Sequence, residues 1–204
     1  MKNTDLPVQS SADSTGDSNA RPGSTLKYGY ETAMTMQQFI AGATINRTFW
    51  ADMASRARVP MEFVAWARQL TAKRRLLVLL EDWCGDAVNT IPVLAALAEA
   101  APQLELRVLR RDENVDLMDA HLTNGARAIP VVLVLDENYV ERGWWGPRPA
   151  DLQRWATSAD ARAMTEHDRY REVRRWYARD RGGATLAELL LLLERTMSPM
   201  PKVA

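Results

Sequence analysis

One cysteine holds the most chemically informative position of this sequence. Cys84 lies within residues 81–87 (EDWCGDA), between an apolar run at 76–80 and an alanine- and leucine-rich tract that we predict to be helical. Free backbone N–H groups and the helix dipole favour negative charge at the start of a helix. Because the thiolate is the reactive form of cysteine, this position predicts a thiol pKa below the ordinary value of about 8.5. The alternative interpretation is that Cys84 is only a small buried side chain.

The residues beside Cys84 have roles of their own in this interpretation. Gly85 allows another chain to approach the backbone closely, and Trp83 can cover one side of the sulfur. Asp86 has two interpretations: a local proton acceptor for Cys84, or a favourable negative charge in the first helical turn. A neighbouring carboxylate raises the pKa of a thiol, so its effect opposes that of the helix. We expect the structural role for Asp86.

The elements that must position this segment follow from hydrophobic patterning. The run at 76–80 predicts a strand buried on both faces, and residues 88–100 predict a helix after it. From residue 76 to residue 144 the order is β-α-β-α-β-β, which indicates a mixed central sheet with helices on its faces. The other predicted strands are 104–109, 131–135 and 139–144. The other predicted helices are 35–43 with Thr35 as its cap, one or two turns around 49–57, the stretch after Pro60, 115–122, 150–179 with a break near Ser158, and a last one around 186–197 that Pro199 stops.

The order of these motifs resembles that of one known α/β fold. A strand, then Trp83-Cys84-Gly85, then a helix, and later Ile129-Pro130 before another strand, resemble the thioredoxin fold. The chain is further similar to a bacterial family of thioredoxin-like proteins that carry Trp-Cys-Gly-Asp and lack the second cysteine. This similarity rests on the segments 111–114, 122–125, 128–130, 145–149 and 176–180.

The resemblance implies an α/β thioredoxin fold, a central mixed sheet flanked by helices, with helical extensions at both ends. Composition adds a disordered tail at 1–25, because this stretch has almost no large apolar residue. The expected organisation is then an N-terminal helical extension at 26–74, a thioredoxin-like core at 75–158 and a C-terminal helical extension at 159–204.

The resemblance also implies a substrate groove. Pro130 matches the cis-proline that lies opposite the active cysteine of thioredoxins, and Ile129 before it offers backbone groups to an extended peptide. Gly146 matches a glycine beside the groove, and Trp145 lines it. Two alternatives stay open: Pro130 opens a strand through an ordinary trans bond, and Trp145 belongs to the core of the hairpin.

Departures from the thioredoxin pattern limit the chemistry. Asp86 stands at the proline position, Ala87 at the second cysteine and Val78 at the buried acid. Without a second thiol, the chain cannot release a mixed disulfide by forming its own. The predicted function is therefore a monothiol thiol–disulfide oxidoreductase with Cys84 as the catalytic nucleophile, resolved by an external low-molecular-weight thiol such as glutathione. The alternatives are a redox-inactive binding or adaptor protein that uses the cis-proline groove and, as a minor idea, a metal or iron–sulfur site shared between two chains.

Charge and composition indicate the partners. Arg127 and Arg148 are candidate contacts for the carboxylates of a small thiol or an acidic partner, whereas the arginines between 169 and 181 predict an ion-paired helical face. Because 26 Lys and Arg balance 26 Asp and Glu, a strongly basic nucleic-acid binder is excluded, and we expect no nucleic-acid partner. One cysteine and two histidines predict no metal site and no resident cofactor. The expected partners are disulfides and thiols, of proteins or small molecules. The oligomeric state is not indicated.

The expected cellular location follows from two targeting signals that the sequence lacks. The first residues lack the apolar middle of a secretory signal, and no apolar stretch approaches the roughly 18 residues of a membrane helix. A lone cysteine also mildly favours a reducing compartment. We therefore expect a cytoplasmic protein that does not contact membranes.

Overall fold

The computed structural model describes residues 22–197. Most of the predicted disordered tail, residues 1–21, lies outside the described residues, as does the predicted helix stop at Pro199. Helix α1 (Pro22–Thr32) was not predicted, and it begins within the range 1–25 that composition assigned to the tail.

A four-stranded sheet forms the centre of the fold. Its spatial order is β2-β1-β3-β4, with β1 parallel to β2 and β3 antiparallel to both of its neighbours. All of β3 and the last five residues of β1 are buried, because helices cover both faces of the sheet. The strands are β1 (Arg74–Leu80), β2 (Leu104–Arg110), β3 (Val131–Leu135) and β4 (Glu141–Trp145).

The crossover between the two parallel strands is helix α5 (Gly85–Ala100), which tolerates Pro92 in its interior. A 3₁₀ turn at Arg111–Glu113 and the short helix α6 (Val115–Asp119) then follow β2. Helix α6 ends earlier than predicted. The N–H of His121 bonds the carbonyl of Met118, which tightens the last turn and ends the helix before the left-handed turn at residues 124–125.

The N-terminal helices fold onto the sheet. They are α2 (Met36–Gly42), α3 (Arg47–Arg56) and α4 (Met61–Ala67). The prediction that Thr35 caps α2 is confirmed: its hydroxyl accepts the Gln38 N–H at 3.1 Å, and the Gln38 side chain accepts the Thr35 N–H at 2.8 Å. Phe39 and Trp50 from this extension are fully buried and meet edge to face, so the extension shares the core with the sheet.

The C-terminal region is more divided than predicted. The predicted helix at 150–179 is three helices, because Ser158 and Thr165 each cap a new one by accepting a backbone N–H. Sequence reasoning found the break at Ser158 and missed the one at Thr165. The four helices are α7 (Ala150–Ala156), α8 (Ala159–Ala163), α9 (Glu166–Asp180) and α10 (Gly183–Met197), of which α10 packs on β4, α4 and α5. No helix within 22–197 has both the length and the apolar character that crossing a membrane requires.

Candidate functional site

Cys84 lies where the sequence placed it, at the junction between β1 and α5. It is the N-cap of α5, and its Sγ accepts the Ala87 N–H at 3.4 Å. On its other side Sγ donates to the carbonyl oxygen of Ile129, also at 3.4 Å. The side chain is buried, with 6% of the residue exposed. Both hydrogen-bonding functions of the thiol are therefore engaged.

Burial decides the protonation state of this thiol. The pKa of Cys84 is raised to about 11: loss of solvation is the largest cause and the charge of Asp86 adds to it, while the N–H groups of Ala87 and Asp86 and the charge of Arg148 oppose them. The predicted fall in pKa is wrong in direction. Sequence reasoning included the helix start and the Asp86 charge but not the desolvation, which is the largest effect.

The loop that leads to Cys84 is held by the N-terminal extension. The Asp82 carboxylate accepts the N–H groups of Thr44 at 2.8 Å and Ile45 at 3.2 Å, and the Asp82 carbonyl accepts the Trp50 indole N–H at 2.8 Å. Burial alone would raise the pKa of Asp82, but these hydrogen bonds hold it below its ordinary value. Asp82 therefore stays ionised and fixes the position of the loop.

Glu81 fixes the same loop from the opposite side. Its buried carboxylate accepts the Asp112 N–H at 2.9 Å and a guanidinium N–H of Arg110 at 3.3 Å. Sequence reasoning missed the role of this acidic pair. Two adjacent carboxylates directly after a buried strand were the available signal, because buried charges require partners.

Asp86 is engaged through both of its carboxylate oxygens. The Tyr177 hydroxyl donates to Oδ1 at 2.9 Å, and Nη2 of Arg148 lies 2.6 Å from Oδ2. This geometry favours the structural role for Asp86, since each oxygen holds a partner from another segment and Sγ of Cys84 donates to Ile129 instead. No local sequence signal could have identified Tyr177, which lies 91 residues away.

The segment opposite Cys84 is shaped by close backbone contacts. The Ile129–Pro130 peptide bond is cis, and so is the Gly146–Pro147 bond, which was not predicted. Gly146 has φ +134°, and a Cβ at this position would overlap the carbonyl oxygen of Pro130. Gly146 therefore packs closely against the Pro130 segment.

An open cleft of about 890 Å³ adjoins Cys84. It brings together seven of the predicted site residues: Trp83, Cys84, Gly85, Asp86, Arg127, Ile129 and Arg148. Pro130 does not line it. Trp145 and Gly146 line a separate, shallower depression of about 490 Å³. Trp145 is buried and its indole N–H donates to Glu188 at 2.7 Å, which favours the hairpin-core interpretation of this residue.

The cleft has one wall that the sequence analysis did not assign to the site. Helix α9 contributes His167, Arg169, Tyr170, Val173 and Arg174 to its lining. Sequence reasoning treated these arginines as part of an ion-paired surface, because nothing local indicates that the helix lies against the cysteine. Within residues 22–197, no three His, Cys, Asp or Glu side chains group closely enough to hold a metal ion.

Comparisons with known proteins agree on the fold. The chain resembles the crystal structure, at 1.5 Å, of a protein of unknown function from Pseudomonas aeruginosa, with a TM-score of 0.64 at 19% identity over 81% of this chain and 95% of that one. It also resembles the crystal structure of an HIV epitope scaffold, with a TM-score of 0.65 at 19% identity over 82% and 96% of the two chains. A comparison with curated proteins gives no match.

The family is established by sequence. A family model described as Thioredoxin matches residues 33–165, which is well over half of the chain. The predicted α/β thioredoxin fold is confirmed by this match together with the mixed sheet flanked by helices. The chain belongs to this thioredoxin family.

Proposed function

We propose that this protein is a thioredoxin-fold binding protein, whose cleft beside Cys84 takes a partner without thiol–disulfide turnover at neutral pH. The observation that carries the proposal is the state of the thiol. Cys84 is buried, donates its proton to the Ile129 carbonyl and has its pKa raised to about 11. Such a sulfur contributes to the shape of a binding site more readily than it attacks a disulfide.

The raised pKa predicts that Cys84 reacts slowly at neutral pH. With a pKa near 11, about one thiol in a thousand is ionised at pH 8, against about one in four for a pKa of 8.5. The more basic thiolate is the better nucleophile, which recovers a factor of about ten. Cys84 should therefore react roughly 20-fold more slowly at pH 8 than an ordinary cysteine, before steric shielding slows it further.

The test is the pH dependence of alkylation by iodoacetamide, a small neutral reagent. We expect an alkylation midpoint well above pH 9 for the folded protein, and slower modification at pH 8 than for the same chain unfolded in urea. A midpoint at or below about 8.5 would show an activated thiol and would overturn the proposal.

A second candidate is the monothiol oxidoreductase, in which an external low-molecular-weight thiol completes the cycle. It is favoured by the Ala87 N–H, which points at Sγ and stabilises a thiolate once one forms. The thiolate would attack one sulfur of a disulfide, form a mixed disulfide and release the other sulfur as a thiolate. Attack by an external thiolate on the mixed disulfide would then return Cys84 to its reduced form.

This second candidate is tested with hydroxyethyl disulfide, which carries no charge. If exchange occurs, the wild-type protein accumulates an adduct, whereas an Ala87→Cys variant resolves it to an internal disulfide two hydrogens lighter than the reduced variant. An Ala87→Ser variant is the matched control and should retain the adduct. A folded wild-type protein that stays unmodified at pH 8, while the unfolded chain reacts, excludes the oxidoreductase.

A further inference from the structure

Helix α9 presents a row of side chains to the cleft that contains Cys84. His167, Tyr170, Arg174 and Tyr177 follow one another at intervals of three or four residues, so they share one face of the helix. That face is held against the core because the buried Tyr177 donates its hydroxyl hydrogen bond to Asp86. The packing of the helix therefore fixes Arg174 of this face near the cleft, and Arg169, one residue before Tyr170, also lines it.

The arginines of the cleft differ in what they already bind. Arg127 makes a two-pronged pair with Asp119 at 2.6 and 2.7 Å, and Arg148 binds Asp86. In contrast, neither Arg169 nor Arg174 forms an ion pair with any residue between 22 and 197, although both line the cleft.

Other arginines of the same helix provide the comparison. Arg171 pairs with Asp168 at 2.8 Å, and Arg175 pairs with Glu172 at 2.6 Å. Neither lines the cleft. The predicted ion-paired face of α9 thus exists for Arg171 and Arg175. Arg169 and Arg174, which line the cleft, have no ion-pair partner among the described residues.

The charge of the cleft is net positive. Of the described residues that line it, five are arginines and Asp86 is the one acidic side chain. Arg111, Arg127 and Arg148 are paired with Asp112, Asp119 and Asp86, so the uncompensated positive charge lies on Arg169 and Arg174. Cations that converge on a concave surface concentrate the electrostatic potential there. The volume of about 890 Å³ is in the range of pockets that enclose small organic ligands.

The planar shape of the arginine side chains indicates which kind of anion the cleft would bind. A guanidinium is planar and matches a carboxylate through two parallel hydrogen bonds. Arg169 and Arg174 both lie on the wall that helix α9 forms. Arg111 lies elsewhere in the lining and is already engaged, because Asp112 accepts from its Nε at 2.8 Å and lies 2.7 Å from its Nη2. The two arginines of α9 therefore offer separate contacts for two anionic groups.

We infer that the cleft binds a small organic anion with two or more carboxylates, held by Arg169 and Arg174 of helix α9. The inference rests on the proposed binding function and names the chemical class of its ligand. The sulfur of Cys84 lies in the same cleft and contributes to its lining.

The test is calorimetric titration of the full chain with citrate as the polycarboxylate probe. Citrate should bind the wild-type protein, and the Arg169→Gln/Arg174→Gln variant should bind it about ten-fold or more weakly, because charge-assisted hydrogen bonds are lost. The Arg171→Gln/Arg175→Gln variant removes the same charge from the same helix and should bind citrate like the wild type. Thermal unfolding of both variants verifies that each is folded.

Four results would overturn the inference. The first is equal weakening of citrate binding by the two double variants, which would indicate a diffuse effect of charge. The second is tighter binding of pyrophosphate than of citrate, and the third is binding of the cation cystamine as tight as that of citrate. The fourth is no citrate binding. If that occurs while the alkylation midpoint stays well above pH 9, the ligand class is rejected and the proposed binding function stands. Citrate binding with a midpoint near 8.5 would reject the function and retain the anion site.

Discussion

The Tyr177 hydroxyl donates a hydrogen bond to Oδ1 of Asp86 at 2.9 Å and so joins helix α9 to the first turn of the helix that Cys84 caps. Burial, reinforced by the Asp86 charge, raises the pKa of Tyr177, so the phenol remains protonated and remains a donor. Arg148 occupies the other oxygen of the same carboxylate. The residue that replaces the thioredoxin proline in this chain therefore connects two segments that are distant in sequence.

Replacement of Tyr177 by phenylalanine tests this connection. The ring and its packing remain, but the carboxylate loses a neutral donor, so we expect the free energy of unfolding to fall by about 1.5–3 kcal/mol. Urea denaturation followed by tryptophan fluorescence measures the change. Tyr170→Phe is the control on the same helix, because Tyr170 is exposed and its hydroxyl bonds no described residue. Equal stability of both variants would remove the structural role of the contact.

An Asp86→Asn variant tests the electrostatic effect on the thiol. The Asp86 charge raises the pKa of Cys84 and the Arg148 charge lowers it. Removal of the carboxylate charge leaves Arg148 without its counter-ion, and both consequences favour the thiolate. We expect the midpoint of iodoacetamide alkylation to move to lower pH and the rate at pH 8 to rise several-fold. Asp151→Asn, an exposed change on α7, should leave the profile where it is; a higher midpoint for Asp86→Asn would contradict the sign.

His121 should make stability depend on pH. Its Nδ1 lies 2.7 Å from the Leu117 carbonyl oxygen and its Nε2 lies 3.1 Å from the Glu141 carboxylate. Only the protonated ring can donate to both acceptors. The Glu141 hydrogen bond is the largest cause that raises the pKa of His121, with burial opposing it.

Because the folded pKa of His121 lies above the unfolded one, its stabilisation is complete below pH 6.5 and is lost as pH rises through the folded value. We expect the free energy of unfolding to fall by on the order of 1 kcal/mol across that range. A His121→Gln variant should lack this dependence, and His167→Gln should retain it. Urea titrations at several pH values provide the comparison, and an unchanged slope in His121→Gln would be evidence against the assignment.

The sequence was most informative where the determinants are local. Hydrophobic runs predicted β1 and β3, and the Thr35 cap was predicted because Thr35 directly precedes the apolar residues of its helix. The junction at Cys84 was also predicted, since it follows from a strand, a glycine and a helix in direct succession. These features depend on neighbours within one or two turns, which a linear pattern contains.

The parts of the site that were missed depend on contacts distant in sequence. The pKa of Cys84 is set by burial against the Ile129 segment, and the cleft is completed by a helix that begins at residue 166. The bond between Asp82 and Thr44 also joins segments 38 residues apart. Such contacts arise from the packing of the extensions onto the core, so neither periodicity nor spacing encodes them.

Gly146 provides the sharpest test of how the site is packed. Its φ of +134° is strained for any residue with a side chain, and a Cβ would collide with the Pro130 carbonyl, which is backbone and cannot turn aside. A Gly146→Ala variant should therefore lose about 3 kcal/mol or more of unfolding free energy, combining backbone strain with displacement of the segment opposite Cys84.

Gly85→Ala is the matched control for this substitution. A Cβ at Gly85 meets no heavy atom within 4 Å, and the residue is the first of helix α5, where alanine has the higher helix propensity. We expect its unfolding free energy to equal or slightly exceed that of the wild type. Urea denaturation of the two variants side by side measures the contrast. If Gly146→Ala is as stable as Gly85→Ala, the Pro130 segment must move easily, and the close packing of Gly146 against it would not constrain the segment opposite Cys84.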